Sequence, residues 1–294
     1  DVQARNKLNI GRKERSWEGD LTGDPNENLY RRLLAGGISW VDTDDNQSTF
    51  SWHARAGRSL TTERIDRMIY GEYLYTTLTT YATRDANGNE IPRREQNNRA
   101  VSGNYNWTWR QLDSVILPTK GLTTIIQLAG GYAISNEKDN GPFSRLYTRN
   151  TLYWPLGKSW YSQMRLEFAE VFAKESVGIP DTLLFRAGGD DSVRGYGYRD
   201  LHTISIDGVP AGGSKLVTTS LEIARPVSEK YSSIWWAAFV DAGNVANQWS
   251  EFNFALGYGV GMRWRSPVGP LRIDVAYGQQ VKKARLHFSV GIAF

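Results

Sequence analysis

Residues 251–265 read EFNFALGYGVGMRWR. One parity holds Phe252, Phe254, Leu256, Tyr258, Val260, Met262 and Trp264; the other holds Glu251, Asn253, Ala255, Gly257, Gly259, Gly261, Arg263 and Arg265. Every residue of the first set is large and apolar, and every residue of the second is small or polar. Side chains of a β-strand point alternately to its two faces, so this period of two predicts a strand with unlike faces. Its length suits a tilted membrane-crossing strand and exceeds the usual strand of a soluble sheet.

The pattern recurs. Leu271, Ile273, Val275 and Tyr277 alternate with Arg272, Asp274, Ala276 and Gly278. Leu286, Phe288, Val290, Ile292 and Phe294 alternate with Arg285, His287, Ser289, Gly291 and Ala293. Val101, Tyr105, Trp107 and Trp109 alternate with polar residues, as do Met164, Leu166 and Phe168. Helical periodicity is nearly absent. The expected fold is all-β, a transmembrane antiparallel β-barrel of the outer-membrane type, with the large apolar parity facing lipid and exposed on the bare protein. A soluble β-sandwich or lipocalin-like barrel is the alternative; it would have shorter strands and charge on its outside.

The connections fit the membrane reading. Tight turns fall at Leu117-Pro118-Thr119-Lys120-Gly121, at Pro155-Leu156-Gly157-Lys158, at Pro226-Val227-Ser228-Glu229-Lys230 and at Pro267-Val268-Gly269-Pro270. Longer polar connections at 83–98, 136–141, 174–213, 244–250 and 279–284 lie between them. Outer-membrane barrels alternate short periplasmic turns with longer extracellular loops in this way. Roughly thirteen crossing segments are readable, whereas single-chain bacterial barrels have an even number. The odd count and the abrupt opening DVQARNKLNI imply that N-terminal strands are missing, so residues 1–294 are expected to be one barrel domain, incomplete at its N-terminus.

Composition removes other classes. With no cysteine there is neither a disulfide framework nor a thiolate metal site. Lys+Arg 35 against Asp+Glu 31 is too even for a nucleic-acid partner. Mean hydropathy is −0.48, as expected of a barrel that hides its apolar band by alternation. There is no apolar run of about 18 residues to form a spanning helix. His53, His202 and His287 show no metal spacing, and His287 simply takes a lumen position. Asp190-Asp191 lacks a calcium-loop register, and the serines lack a nucleophile elbow. Gly257, Gly259 and Gly261 alternate within a strand, so they leave lumen space rather than cradle a phosphate. No enzyme activity and no cofactor are expected.

The longest connection, about forty residues on this strand reading, contains Val193-Arg194-Gly195-Tyr196. Ser220-Leu221-Glu222 follows on the next strand, then Phe239-Val240-Asp241-Ala242-Gly243, then Ser266-Pro267-Val268-Gly269-Pro270-Leu271. In order and spacing these elements resemble the outer-membrane protein assembly factor superfamily, which carries a Val-Arg-Gly-Phe/Tyr motif in a long extracellular loop. Leu117-Pro118-Thr119-Lys120-Gly121 also resembles a turn of that family. The likeness covers the C-terminal half well and the first hundred residues weakly. The short stretch after Arg194, and Phe185-Arg186-Ala187-Gly188-Gly189-Asp190, resemble the branch that contains TamA, the barrel of the translocation and assembly module. Family members have about sixteen strands, an even count, and periplasmic POTRA domains before the barrel; none is expected within residues 1–294.

The resemblance implies that Arg194 folds back into the lumen and pairs with acids. Strand parity places Glu222 with Ser220 and Thr218, facing inward. Asp241 shares its parity with Phe239, Ala237 and Trp235; an ionised carboxylate facing lipid is costly, so it too is expected inward. Gly195 and Gly197 permit close approach to the wall. The family likeness further implies a lateral seam at the last strand, at Leu286, Phe288, Val290, Gly291 and Phe294, where client strands pair. Two function classes follow. One is an assembly factor that inserts β-barrels such as autotransporters into the bacterial outer membrane. The other is a two-partner secretion channel or other conducting pore. Implied partners are outer-membrane lipid, unfolded β-barrel clients and a periplasm-spanning protein such as TamB.

Overall fold

The computed structural model describes residues 2–11, 13–43, 47–84, 90–204, 210–266 and 269–290. Fourteen strands make one antiparallel sheet, each paired with its neighbours in the chain. They are β1 (Gln3–Ile10), β2 (Glu14–Pro25), β3 (Arg31–Thr43), β4 (Gln47–Thr61) and β5 (Ile65–Thr80), then β6 (Arg94–Leu112), β7 (Gly121–Ser135), β8 (Gly141–Leu156) and β9 (Trp160–Phe172). The last five are β10 (Lys215–Pro226), β11 (Ile234–Ala246), β12 (Ala255–Ser266), β13 (Gly269–Gly278) and β14 (Lys283–Val290). This up-and-down order is that of an outer-membrane barrel wall. Residues 173–214 touch Glu14 on β2 and Arg285 on β14, so the two edge regions of the sheet are brought round towards each other. Among the described residues β1 pairs only with β2, and β14 only with β13.

The alternation decides which face each side chain takes. On β12, Val260 is 61 % exposed while Arg263 is buried. On β14, Leu286, Phe288 and Val290 are exposed and His287 is buried. The exposed apolar face is what a lipid solvent requires, and a second packed layer would have covered it. Aromatic pairs reinforce its borders. Trp160 meets Trp236 at 4.9 Å near the short-turn end, and Phe168 stacks on Trp249 at 5.5 Å near the other. Among the described residues no helix is long and apolar enough to cross a membrane.

Four expectations need correction. The sheet has fourteen strands where thirteen were readable. The alternation is weakest in the first strands, where the outward row Asn6, Gly19, Gly36 and Ala54 is small or polar. The strand read over 251–265 begins only at Ala255, because residues 249–251 form a 3₁₀ turn. Phe252 and Phe254 keep the apolar parity without the ladder: they pack beside Trp249, at 5.8 Å from Trp249 to Phe252 and 5.1 Å between the two phenylalanines. Phe252 and Leu256 are half-buried rather than exposed. Lastly, the connection read over 83–98 is shorter, since β6 already begins at Arg94.

Both ends of the lumen are occupied by the chain itself. At the long-loop end, Ile179, Leu183, Leu184, Phe185 and Ala187 of the 173–214 loop pack on inward residues including Leu74, Ala133, Phe143, Val171, Leu216 and Val245. This buried apolar layer lies inside the wall, where a water-filled pore would be polar. At the short-turn end, residues 113–120 reach across to β12, and Arg265 Nη2 donates to the Leu117 carbonyl at 2.6 Å. The Arg265 guanidinium lies 4.4 Å from the Trp235 ring, which stacks on Tyr161. The turn is held by Asp113, whose carboxylate accepts from Thr119 N, Thr119 Oγ1 and Lys120 N at 2.9, 2.5 and 3.0 Å.

Two outcomes follow. An arginine in place of Val260, mid-strand on the lipid face, is expected to cost about 2–4 kcal/mol in reversible unfolding from vesicles, the usual penalty at the bilayer midplane. A cost near zero would remove Val260 from the lipid face. The second concerns Asp113. Burial pushes its carboxyl up, but the Thr119 and Lys120 hydrogen bonds outweigh burial and hold it below the usual range. A depressed folded value stabilises the turn above the ordinary carboxylate value, about 3.9, and that stability is lost as pH falls through the folded value. Hydrogen exchange of the Thr119 and Lys120 amides is therefore expected to lose protection below about pH 4, and not between pH 5 and 8.

Candidate functional site

The 173–214 loop is built to carry one arginine inward. Its two limbs are joined by paired backbone bonds, Phe185 with Gly213 at 2.8 Å each way, and Ala187 with Leu201 at 2.8 and 3.0 Å. Asp181 and Arg186, both buried, form an ion pair at 2.6 Å beside this ladder. Beyond it the chain turns through Gly188 and Gly189, at φ +99° and +103°, a region where side chains are strained. The tip then lies against the inner wall with Val193, Arg194 and Tyr196 buried.

All five guanidinium N–H groups of Arg194 are used. Nε donates to Asp241 Oδ2 at 2.7 Å, and Nη2 to Asp241 Oδ1 at 2.9 Å and Ser220 Oγ at 3.3 Å. Nη1 donates to Glu222 Oε2 and Asp274 Oδ2, each at 3.0 Å. The Arg194 backbone N–H adds a bond to Asp241 Oδ2 at 3.0 Å. The guanidinium lies face-on to Phe239, 3.4 Å from the ring centroid. No side chain other than arginine offers five donors in one plane. Burial alone would lower the Arg194 pKa; bonding to Asp241, with the charges of Asp241, Glu222 and Asp274, raises it instead.

A second arginine interlocks with the first. Arg263 donates to Glu222 through Nε at 2.9 Å and Nη2 at 2.7 Å, and to Asp274 through Nη1 at 2.5 Å and Nη2 at 3.2 Å. Glu222 and Asp274 each serve both arginines. Other anchors hold the backbone around Arg194. Arg165 Nη2 donates to Ser192 O at 2.6 Å. The Gly195 N–H donates to His287 Nε2 at 2.9 Å, so the proton of that ring sits on Nδ1, facing Asp190. The Tyr196 hydroxyl donates to Leu256 O at 3.1 Å and meets Gln280.

Glycine makes this approach possible. A Cβ on Gly257 would stand 1.9 Å from Arg194 O. A Cβ on Gly195, at φ +93°, would stand 2.6 Å from the backbone nitrogen of Gly278. Loop and wall meet backbone to backbone. The space left along β12 also admits the Phe239 ring, beside Gly259, and the Asp274 carboxylate, beside Gly261.

The structure thus brings Val193, Arg194, Gly195 and Tyr196 together with Glu222 and Asp241 inside the wall. It keeps Leu286, Phe288 and Val290 apart from them, on the outward face of β14. Gly291 and Phe294 lie outside the described residues. Sequence reasoning missed Arg263, Asp274, Ser220 and Phe239 as partners. It also treated His287 as a passive lumen residue, whereas His287 accepts a hydrogen bond from the loop. The available signal was inward parity: Asp274 and His287 are cross-strand partners, and so are Glu222 and Phe239.

Replacing Asp241 with alanine removes three bonds to Arg194 and is expected to destabilise the protein by about 3–5 kcal/mol, the cost of stranding a buried charge. Asp274→Ala, which leaves the Asp241 and Glu222 contacts in place, is expected to cost less. Urea unfolding of both variants in vesicles measures this, and equal costs would show that Asp241 is not the main anchor.

Comparison with known proteins now fixes the family. The model of the Omp85 superfamily domain matches residues 29–294. The outer membrane protein assembly factor BamA of Nitratidesulfovibrio vulgaris (strain Hildenborough) is 28 % identical over 217 residues, 69 % of this chain and 27 % of that protein. The chloroplastic outer envelope protein 80 of Arabidopsis thaliana is 31 % identical over 116 residues, 37 % of this chain and 14 % of that one. The chain therefore spans less than a third of the length of these curated relatives. Its fold is similar to the crystal structure of BamA from Haemophilus ducreyi lacking POTRA domains 1–3, with a TM-score of 0.71 at 18 % identity, covering 95 % of this chain and 61 % of that one. The chain is an outer-membrane protein and belongs to the Omp85 superfamily.

Proposed function

We propose that residues 1–294 form the barrel domain of an outer-membrane assembly factor that promotes insertion of β-barrel proteins such as autotransporters. The observation that carries this reading is the locked lumen, beside which β14 has one side open to a further strand among the described residues. The loop is anchored through Arg194, and the short-turn end is crossed by residues 113–120, which speaks against a standing aqueous pore. Meanwhile β14 pairs on one side only among the described residues, with an apolar outward face at Leu286, Phe288 and Val290. A free edge in lipid exposes backbone donors and acceptors, each costing several kcal/mol, about what a buried unpaired amide costs. A client strand that pairs there relieves this cost without ATP or cofactor. The activity is pairing and release, not catalysis.

Within the family we place the chain nearest the TamA branch, with a TamB-like periplasmic protein as partner. Support comes from the 185–190 segment, whose Arg186 closes on Asp181, and from the compact return of the loop to β10. The lumenal arginine serves this function by holding the loop against β10–β13, so that the wall beside the seam stays rigid.

The test uses the full-length protein in vesicles and an unfolded autotransporter barrel as client, with folding read from heat-modifiable gel mobility. The wild type is expected to accelerate insertion, and Arg194→Ala to slow it at least about tenfold, one step of 1.4 kcal/mol. Cysteines placed at Leu286, Phe288 and Val290 are expected to crosslink to the client, and cysteines on β12 are not. Absence of acceleration together with steady conductance in planar bilayers would favour a channel. Client crosslinks at Arg263 and Asp274 in place of β14 would do the same.

A further inference from the structure

The outward face of the first strands carries two arginines side by side near its short-turn end. Arg32 on β3 and Arg58 on β4 are direct partners in the ladder, and both are exposed. They share the parity of Leu34 and Trp52, the lipid-facing one. Like charges directly opposite, with Cβ atoms about 4.5–5.5 Å apart, destabilise a sheet. Neither arginine makes a hydrogen bond, ion pair or ring contact with the described residues. Among the described residues of β2 to β5 the outward parity holds one carboxylate, Asp42, at the opposite end of β3. A third guanidinium, Arg67 on β5, stands diagonally from Arg58 and donates to the Tyr30 hydroxyl at 3.1 Å. Charged side chains on a membrane-facing surface are costly, and where they persist they mark a site that answers their charge.

An apolar groove begins beside this pair. From Arg58 into the membrane, the outward residues of β4 are Ala56, Ala54 and Trp52. Gly71 lies opposite Ala56, and Gly36 opposite Ala54. A Cβ on Gly71 would meet nothing within 4 Å, so this floor is open to the outside. The groove has a volume of about 830 Å³, with the exposed Leu34 and Val101 on its walls. Trp52, 5.2 Å from the Tyr73 ring, stands at its inner end. The six residue steps from Arg58 to Trp52 make about 20 Å of strand. At a tilt of about 45° that is a descent of about 14 Å, close to one leaflet of a hydrocarbon core about 30 Å thick.

We propose that Arg32 and Arg58 hold the phosphate of an anionic phospholipid, with one acyl chain laid along the groove over Ala56 and Ala54. Two guanidiniums supply planar, charge-assisted donors matched to phosphate oxygens, and one anion between them removes their mutual repulsion. The groove starts where the headgroup is held and runs into the leaflet, so one molecule meets both features. Its volume lies within the range of ligand sites, about 300–1,000 Å³. A lipid is favoured over an acidic peptide, because a peptide on this face would leave its own backbone groups unpaired in hydrocarbon. The short-turn end is periplasmic in this class of barrel, which places the headgroup in the periplasmic leaflet. The site lies on the outside of the wall, on strands other than β14, and does not rest on the assembly reading.

The experiment is native mass spectrometry of the full-length protein, titrated in mild detergent with one lipid at a time and scored by the lipid copies it retains. Phosphatidylglycerol is expected to stay bound as one tight copy, about tenfold more strongly than phosphatidylcholine with the same chains. Arg32→Gln and Arg58→Gln are each expected to abolish that preference. Ala56→Phe, which keeps both charges and fills the groove, is expected to weaken both lipids about tenfold. Lys158→Gln, at another short turn, is expected to change nothing. Heat-modifiable gel mobility verifies that each variant keeps its barrel; should Arg58→Gln not fold, Arg32→Gln, Ala56→Phe and the lipid pair decide. Equal retention of the two lipids overturns the proposal, as does an unchanged preference in Arg32→Gln or full retention of phosphatidylglycerol by Ala56→Phe. Two further arms test the source of the phosphate. Displacement of the lipid by inorganic phosphate would leave an anion site with no lipid, and tighter retention of lipid A would move the ligand to the opposite leaflet; either result overturns the assignment.

Discussion

A guanidinium taken out of water must recover every bond it gave up, and that requirement organises this barrel around Arg194. Its five donors reach β10, β11 and β13, and its face lies on Phe239. Removing a partner strands charge at a cost of several kcal/mol, about 3–5 in other buried pairs. The surroundings are shaped accordingly. Gly257 and Gly278 give up side chains so that the loop backbone can touch the wall. Arg263 balances acids that one arginine could not neutralise alone. Arg165 and His287 fix the loop on either side of the charge, at Ser192 and Gly195.

The two ends of the lumen are closed by different means. At the long-loop end the seal is apolar packing, with Phe185 and Leu184 set against Leu216 and Val245. At the short-turn end it is one hydrogen bond from Arg265 to the Leu117 carbonyl and a turn organised by Asp113. The first buries large apolar side chains; the second rests on polar contacts that water can replace. The short-turn end is therefore the weaker closure.

Much of this was legible from periodicity. An alternation of two fixes the face of each side chain, so the inward Glu222 and the outward Val260 followed from parity and the cost of charge in lipid. Asp241, 0 % exposed, was harder to place because Phe239 and Trp235 share its face; those rings are inward because a guanidinium stacks on one and Arg265 on the other. What parity cannot give is which inward residues meet. Asp274 and Arg263 lie far apart from Arg194 in the chain, and the sheet curvature that brings them together has no local signature. The start of β12 was misplaced for a similar reason, since Phe252 and Phe254 keep the period through packing on Trp249 and not through the ladder. The first four strands were hard to read because small outward residues blur the apolar stripe.

The distances along the chain between Arg194 and its partners set an order of events. Glu222, Asp241 and Asp274 lie 28, 47 and 80 residues downstream, and the His287 that holds Gly195 lies 92 beyond it. Contacts of such long range form late, after the entropy of closing the intervening chain has been met. The C-terminal hairpins must therefore stand before the arginine has anywhere to go. Until then it is a solvated cation on a long tether, and its docking follows the pairing of the strands that carry Glu222, Asp241 and Asp274.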